Sequence, residues 1–167
     1  RHQRFFAILG ELESVYDRTL WIEQESALKE YRKKISALSE QWKLSALFAK
    51  ASQFYRAEWP QDLGFRINLY PIPGKRGHTS AESLGSLESV GVQVASSDFE
   101  GDFGVIFHEL CHSLYKAQSP EFQAELEGYF AKSKSRYAPY AYRTLNEALA
   151  TALGNGWAYE KATGKTD

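Results

Sequence analysis

Long apolar runs, disulfide chemistry and a strong charge of either sign are all missing from this chain of 167 residues, and each absence narrows what it can do. No run of 18 apolar residues occurs, so no segment is expected to cross a bilayer as a helix. The single cysteine, Cys111, has no partner for an internal disulfide and leaves the redox compartment open. A net charge of −1 gives neither nucleic acid nor an anionic membrane an electrostatic handle. Methionine is absent altogether, which is unusual at this length. The chain opens on Arg1 with no signal peptide, the start expected of a processed or trimmed product. Repeats and low-complexity tracts are lacking too. Gly164-Lys165-Thr166 lacks the preceding glycine of a P-loop and follows no strand, which excludes a nucleotide site there.

What is present is enough to fold. Hydrophobic residues make up 43% and aromatics 14%, which excludes disorder and predicts one domain with a real core. An α+β architecture is expected over 1–167, with a helical part over 1–58, a strand region over 59–98 and helices over 99–163. In the first part Phe5, Ile8, Leu9, Leu12, Val15 and Tyr16 recur at helical spacing, as do Leu38, Trp42, Leu44, Leu47, Phe48, Ala51 and Tyr55. These helices are expected to pack on the rest or to cover its cleft. Trp59 to Gly64 breaks the helical pattern. Phe65 to Tyr70 then alternates as a half-buried strand stopped by Pro71 and Pro73, Gly74-Lys75-Arg76-Gly77 reads as a turn, and Val90 to Ala95 reads as a second strand.

Phe107-His108-Glu109-Leu110-Cys111-His112 is the stretch that carries chemistry. Residues four apart on a helix share a face, so His108 and His112 can bind one metal ion, with Glu109 pointing to the neighbouring coordination position. Composition alone would produce about 0.01 His-Glu-x-x-His matches in a chain of this make-up, so chance is a poor explanation. The helical wheel supports the point: Phe103, Ile106, Phe107, Leu110 and Leu114 form an apolar stripe, and both histidines face away from it. Asp102 is the expected N-cap. Cys111 leans toward the apolar side and reads as a small buried thiol, not a ligand.

A catalytic zinc site typically has three protein ligands and a water. No histidine follows His112, so the third ligand is expected among the downstream carboxylates. Glu147 is the best placed, in Leu145-Asn146-Glu147-Ala148-Leu149-Ala150-Thr151. Its helix, read from about Tyr140 to Glu160, has an apolar side of Leu145, Leu149, Ala152, Leu153 and Gly156. The small residues Ala150, Thr151 and Gly154 beside the glutamate would allow a close approach to the metal helix. Glu121, Glu125, Glu127 and Glu160 remain alternatives, and Glu147 could simply pair with Arg143. Ser119 and Pro120 mark the start of an intervening helix running to about Lys134, as N-cap and first helical residue.

The pairing of His-Glu-x-x-His with a distant Asn-Glu-x-x-Ala resembles the gluzincin group of zinc metallopeptidases, at His108, Glu109, His112, Asn146, Glu147 and Ala150. The resemblance covers about 60 residues and implies a zincin-like fold. It implies one zinc ion held by His108, His112 and Glu147, with Glu109 as the general base of peptide hydrolysis on a peptide or protein substrate. Zinc would then activate a water and polarise the scissile carbonyl, and Glu109 would pass the proton to the leaving amine. Relatives often carry a carboxylate one turn beyond the ligand glutamate, where this chain has Thr151, so support for the ligand histidines is unassigned. In zincins an edge strand holds the extended substrate, and residues 90–96 are the expected equivalent. Tyr137, Tyr140, Tyr142 and His78 are candidate donors to the oxyanion. Related enzymes often supply that donor after the glutamate helix, which suggests a lacking C-terminal subdomain. Family habit also leans toward an exported, periplasmic or secreted protein. Two other readings stay open, a zinc hydrolase of a non-peptide amide and a zincin-fold binding module without turnover.

Overall fold

The computed structural model describes residues 2–75, 79–96 and 98–166. Its architecture is α+β, with a small mixed sheet of three strands among helices. Helix α1 (His2–Tyr16) continues through a π turn (Asp17–Trp21) into α2 (Ile22–Gln41). Lys43, in the left-handed region at φ 56°, turns the chain into α3 (Leu44–Tyr55). Strands β1 (Arg66–Pro71), β2 (Thr79–Leu84) and β3 (Leu87–Val92) follow. The metal-motif helix α4 (Phe99–Lys116) comes next, then α5 (Pro120–Ala131) and α6 (Ala138–Ala150). The chain runs straight on from α6 through a π-helical stretch (Thr151–Ala158) into the short α7 (Tyr159–Thr163).

In the sheet β3 lies in the middle, parallel to β1 on one side and antiparallel to β2 on the other. This corrects the expectation for residues 90–96. Val90 to Val92 are paired on both sides and have no free edge for a substrate backbone, and Val94–Ser96 is a short 3-10 turn instead of strand. The strand β2 was not anticipated from the sequence. Its inward residues Thr79, Ala81 and Ser83 are small, so its alternation carries little hydrophobic contrast. The signal for it is the Gly85-Ser86 pair between two six-residue strands, with Gly85 at φ 61° where a tight hairpin favours glycine. Of the expected turn at 74–77, Arg76 and Gly77 lie outside the described residues, as does His78.

Helix α4 runs through the centre of the molecule. Phe103, Ile106, Phe107, Leu110, Cys111 and Leu114, the stripe expected from the sequence and its thiol neighbour, are all buried in the core. Helices α2 and α3 pack against this apolar side: Trp42, at the end of α2, meets Phe103 edge-on with ring centroids 4.7 Å apart, and Tyr31 stacks on Phe99. The helix begins earlier than expected. Its N-cap is Asp98, whose carboxylate accepts from the Gly101 amide at 3.1 Å, not Asp102. Asp102 is buried inside the first turns, where it accepts hydrogen bonds from Tyr31 Oη at 2.7 Å and from Thr79 Oγ1. One carboxylate thus ties α2, β2 and α4 together. At the other end Gln118 donates to the Tyr55 carbonyl at 2.8 Å and fastens α3 to the exit of α4. Ser119 caps α5 as expected, accepting from the Phe122 amide, with Pro120 following.

The glutamate helix turns a different side inward from the one its leucines suggested. Ala150, Gly154 and Ala158, four residues apart, are buried, whereas Leu145, Leu149 and Leu153 are half-buried and Ala152 is exposed. A ladder of small residues lets two backbones meet. A Cβ on Gly154 would lie 2.5 Å from the His108 backbone, closer than real atoms come, so only glycine fits.

Candidate metal centre

Three side chains from two helices converge beside this close approach. His108 and His112 stand one turn apart on α4, with ring centroids 4.6 Å apart and ring planes at 83°. Their Nε2 atoms lie 3.2 Å and 3.3 Å from the two carboxylate oxygens of Glu147 on α6. The Glu109 carboxylate comes within 4.8 Å of a ring nitrogen of each histidine. The imidazoles are largely shielded, at 14% and 15% side-chain exposure, while Glu147 at 65% leaves the site open to solvent on its own side.

Each imidazole is held from behind by an asparagine. His108 Nδ1 is 2.9 Å from Asn155 Oδ1, and His112 Nδ1 is 3.0 Å from Asn146 Oδ1. An amide oxygen only accepts, so each Nδ1 carries the proton and donates. A ring held in this way and free of a second proton has its lone pair on Nε2, the atom that faces Glu147. Two lone pairs and a carboxylate aimed at one point repel one another unless a cation stands between them. The spacing is informative as well. Donors at 2.0–2.1 Å from a tetrahedral metal are about 3.3 Å from each other. A charge-assisted imidazolium–carboxylate hydrogen bond would be shorter, at about 2.7–2.9 Å. The donor set and its dimensions fit a divalent metal such as zinc.

The structure brings together all four residues singled out for the metal and the base: His108, Glu109, His112 and Glu147. Among the described residues the ion pairs of Glu147 are with the two histidines, and Arg143 makes none with it. Glu121, Glu125, Glu127 and Glu160 sit on exposed faces of α5 and α7 and form no ion pair with either histidine. Cys111 is fully buried, its thiol pushed up to about 12 by desolvation, which suits a packed side chain and not a ligand. Of the candidate oxyanion donors, Tyr137 and Tyr140 are exposed near the start of α6, Tyr142 packs tilted against Phe130, and His78 lies outside the described residues.

Asn155 is the residue that sequence reasoning missed. Nine positions separate it from Asn146, two and a half turns of a regular helix at about 100° per residue, which would leave the two amides on opposite faces. The π-helical stretch Thr151–Ala158, with Tyr159 N–H reaching back to the Gly154 carbonyl, widens the turns between them and brings both amides to the same pair of histidines. An apolar cavity of about 550 Å³, lined by Phe48, Trp59, Phe65, Ile67 and Leu110, opens on the other side of α4, away from the imidazoles. Comparison with known protein families, with curated proteins and with solved structures finds no match for this chain.

Proposed function

We propose that the protein is a zinc-dependent metallopeptidase of gluzincin type. The observation that carries this reading is the convergence of His108 Nε2, His112 Nε2 and the Glu147 carboxylate, each imidazole fixed in the ligating tautomer by an asparagine. Zinc bound there would supply Lewis acidity, polarising a scissile carbonyl and acidifying a water. The rest is done by the chain. Glu109, within 4.8 Å of both histidines, takes the proton from the attacking water and returns it to the leaving amine. Asn146 and Asn155 keep the rings oriented through the cycle. Glu147, the exposed ligand, leaves one flank of the site accessible to an extended chain. Of the two sheet edges, β2 is the one fastened to α4, through Thr79 and Asp102, and its outer side, which has no strand partner among the described residues, can take a substrate strand. A module that lost turnover because its own N-terminal helices fill the cleft is disfavoured by the packing of α2 and α3 on the opposite, apolar side of α4.

The test is zinc stoichiometry by elemental analysis, followed by cleavage of a quenched peptide library. One zinc per chain is expected for wild type, with sharp weakening in His112→Ala and Glu147→Ala. Glu109→Gln should keep its zinc and lose activity by about 10²–10⁴-fold. A wild type that stays metal-free after incubation with zinc removes the reading. A zinc-loaded wild type that cleaves an N-acyl or other non-peptide amide, but no peptide, redirects it to another hydrolase class.

A further inference from the structure

The two helices of the centre run antiparallel: His112 meets Asn146, while His108, one turn earlier on α4, meets Asn155, further along the chain. Moving along α4 past His112 therefore leads the same way as moving back along α6 from Glu147. The next residue on the histidine face of α4 is Lys116, four positions past His112. The next on the glutamate face of α6 is Arg143, four positions before Glu147. Both are exposed, and among the described residues neither makes an ion pair. The same steps in the other direction meet Gly104 on α4 and Thr151 after α6, both uncharged. One turn from the ligands, the centre thus has a cation on each helix at one end and a neutral residue on each at the other. The basic character continues beyond Arg143. From Gly128 to Asn146 the chain carries Lys132, Lys134, Arg136 and Arg143 with no aspartate or glutamate, although the net charge of the whole is −1. The acids of α5 just before this stretch, Glu121, Glu125 and Glu127, pair with none of these cations among the described residues.

We propose that this end of the cleft takes the acidic part of the substrate, a peptide or protein segment with carboxylate side chains about two residues to one side of the cleaved bond. Two dimensions set that position. Four residues of helix advance about 6 Å. An extended strand advances about 3.3 Å per residue, so Lys116 and Arg143 stand beside the second residue from the bond. The Arg143 guanidinium can grip a carboxylate with two parallel hydrogen bonds, and Lys116 adds a point charge. Both are carried on helices that also carry the metal ligands, so their distance from the reacting bond is fixed before substrate arrives. At the other end Gly104 and Thr151 offer an anionic side chain no counter-charge. The proposal rests on the peptidase reading of the centre, and the test separates the two.

Binding without turnover decides it. Fluorescein-labelled octapeptides are titrated by anisotropy against Glu109→Gln with zinc supplied. One peptide holds only alanine, glycine and leucine, and the others carry two glutamates or two lysines in the first or the second half. At least one glutamate peptide should bind about 10-fold more tightly than the neutral one at low salt, with the gap narrowing above about 0.15 M ionic strength. Adding Lys116→Gln or Arg143→Gln should cut that preference by about 2–5-fold each. Adding Lys116→Glu and Arg143→Glu together should pass the preference to a lysine peptide. In the wild type, kcat/KM for cleavage should follow the same ranking. A glutamate preference that is absent, or that survives the double reversal, overturns the proposal. Should the double reversal fail to fold, an unchanged preference in both glutamine variants overturns it equally. A single-stranded DNA of similar length that binds more tightly than the glutamate peptides also overturns it, and makes the patch a nucleic-acid surface. If wild type binds zinc but cleaves nothing, the peptidase reading fails, and the binding series still decides what Lys116 and Arg143 recognise.

Discussion

Helices α1 and α4 both carry an aromatic and aliphatic stripe at helical spacing, yet α1 buries none of its 15 residues and α4 buries nine of its 18. Phe5, Phe6, Ile8, Leu9, Leu12 and Val15 are all substantially exposed, with Phe6 at 68%. Phe103, Phe107 and Leu114 on α4 are at 0%. The two patterns differ little as sequence. What separates them is what comes back to cover them: α4 receives α2, α3, the sheet and the π-helical stretch, while among the described residues α1 leans mainly on the π turn that follows it. Amphipathicity states which face of a helix is ready to be covered. It says nothing about whether anything covers it.

The difference can be put to measurement. The largest effect is expected in the core. Phe107→Ala should cost about 3–5 kcal/mol in urea denaturation, whereas Phe6→Ala should stay within about 0.5 kcal/mol. A comparable cost for Phe6→Ala would mean that the α1 stripe is covered in solution, and the contrast would collapse. Next come two glycine-to-alanine changes of opposite sign. Gly154→Ala, driving a methyl into the His108 backbone, should destabilise by about 2–3 kcal/mol and weaken zinc binding in parallel. Gly10→Ala meets nothing within 4 Å and should firm α1 by up to about 1 kcal/mol, read as slower amide exchange confined to that helix.

The pH dependence of stability should also be set on the α4 side. Glu88, buried on β3, is raised by desolvation in the folded protein from 4.5 to about 9, so the fold holds a proton that the unfolded chain releases. Its contribution is fully present below about pH 4.5 and is lost as pH rises toward 9, with a slope of up to roughly 1.4 kcal/mol per pH unit. Urea midpoints at pH 5, 7 and 8.5 should fall in wild type and fall distinctly less in Glu88→Gln. Equal slopes in the two proteins would show that Glu88 ionises without penalty.

The parts of the centre that depend on local geometry were readable from the sequence. His108, Glu109 and His112 are fixed relative to one another by one turn of helix, and nothing distant can alter that spacing. Glu147 was readable as well, because its neighbours Ala150 and Gly154 announce a close approach. Asn155 was hidden by the π-helical stretch, since counting at the α-helical period puts it on the wrong face. The N-cap was misplaced because Asp98 and Asp102 are both acidic and one turn apart. Phe99, stacked on Tyr31, extends the helix back to the earlier one and frees Asp102 for the interior. The sheet order was beyond sequence reasoning for another reason. That β3 pairs with β1 in parallel, with β2 on its far side, is a decision among distant segments that alternation within each strand leaves open.

The one cysteine gives this arrangement a built-in reporter. Cys111 precedes His112 and points into the core at 0% exposure, so a thiol reagent cannot reach it while α4 stays seated. With no second thiol in the chain to confuse the signal, the rate at which the protein is labelled counts how often α4 lifts from its core. A ligand that binds only the seated helix must slow that clock in proportion to its occupancy. Metal affinity could then be timed on the native chain without a substrate.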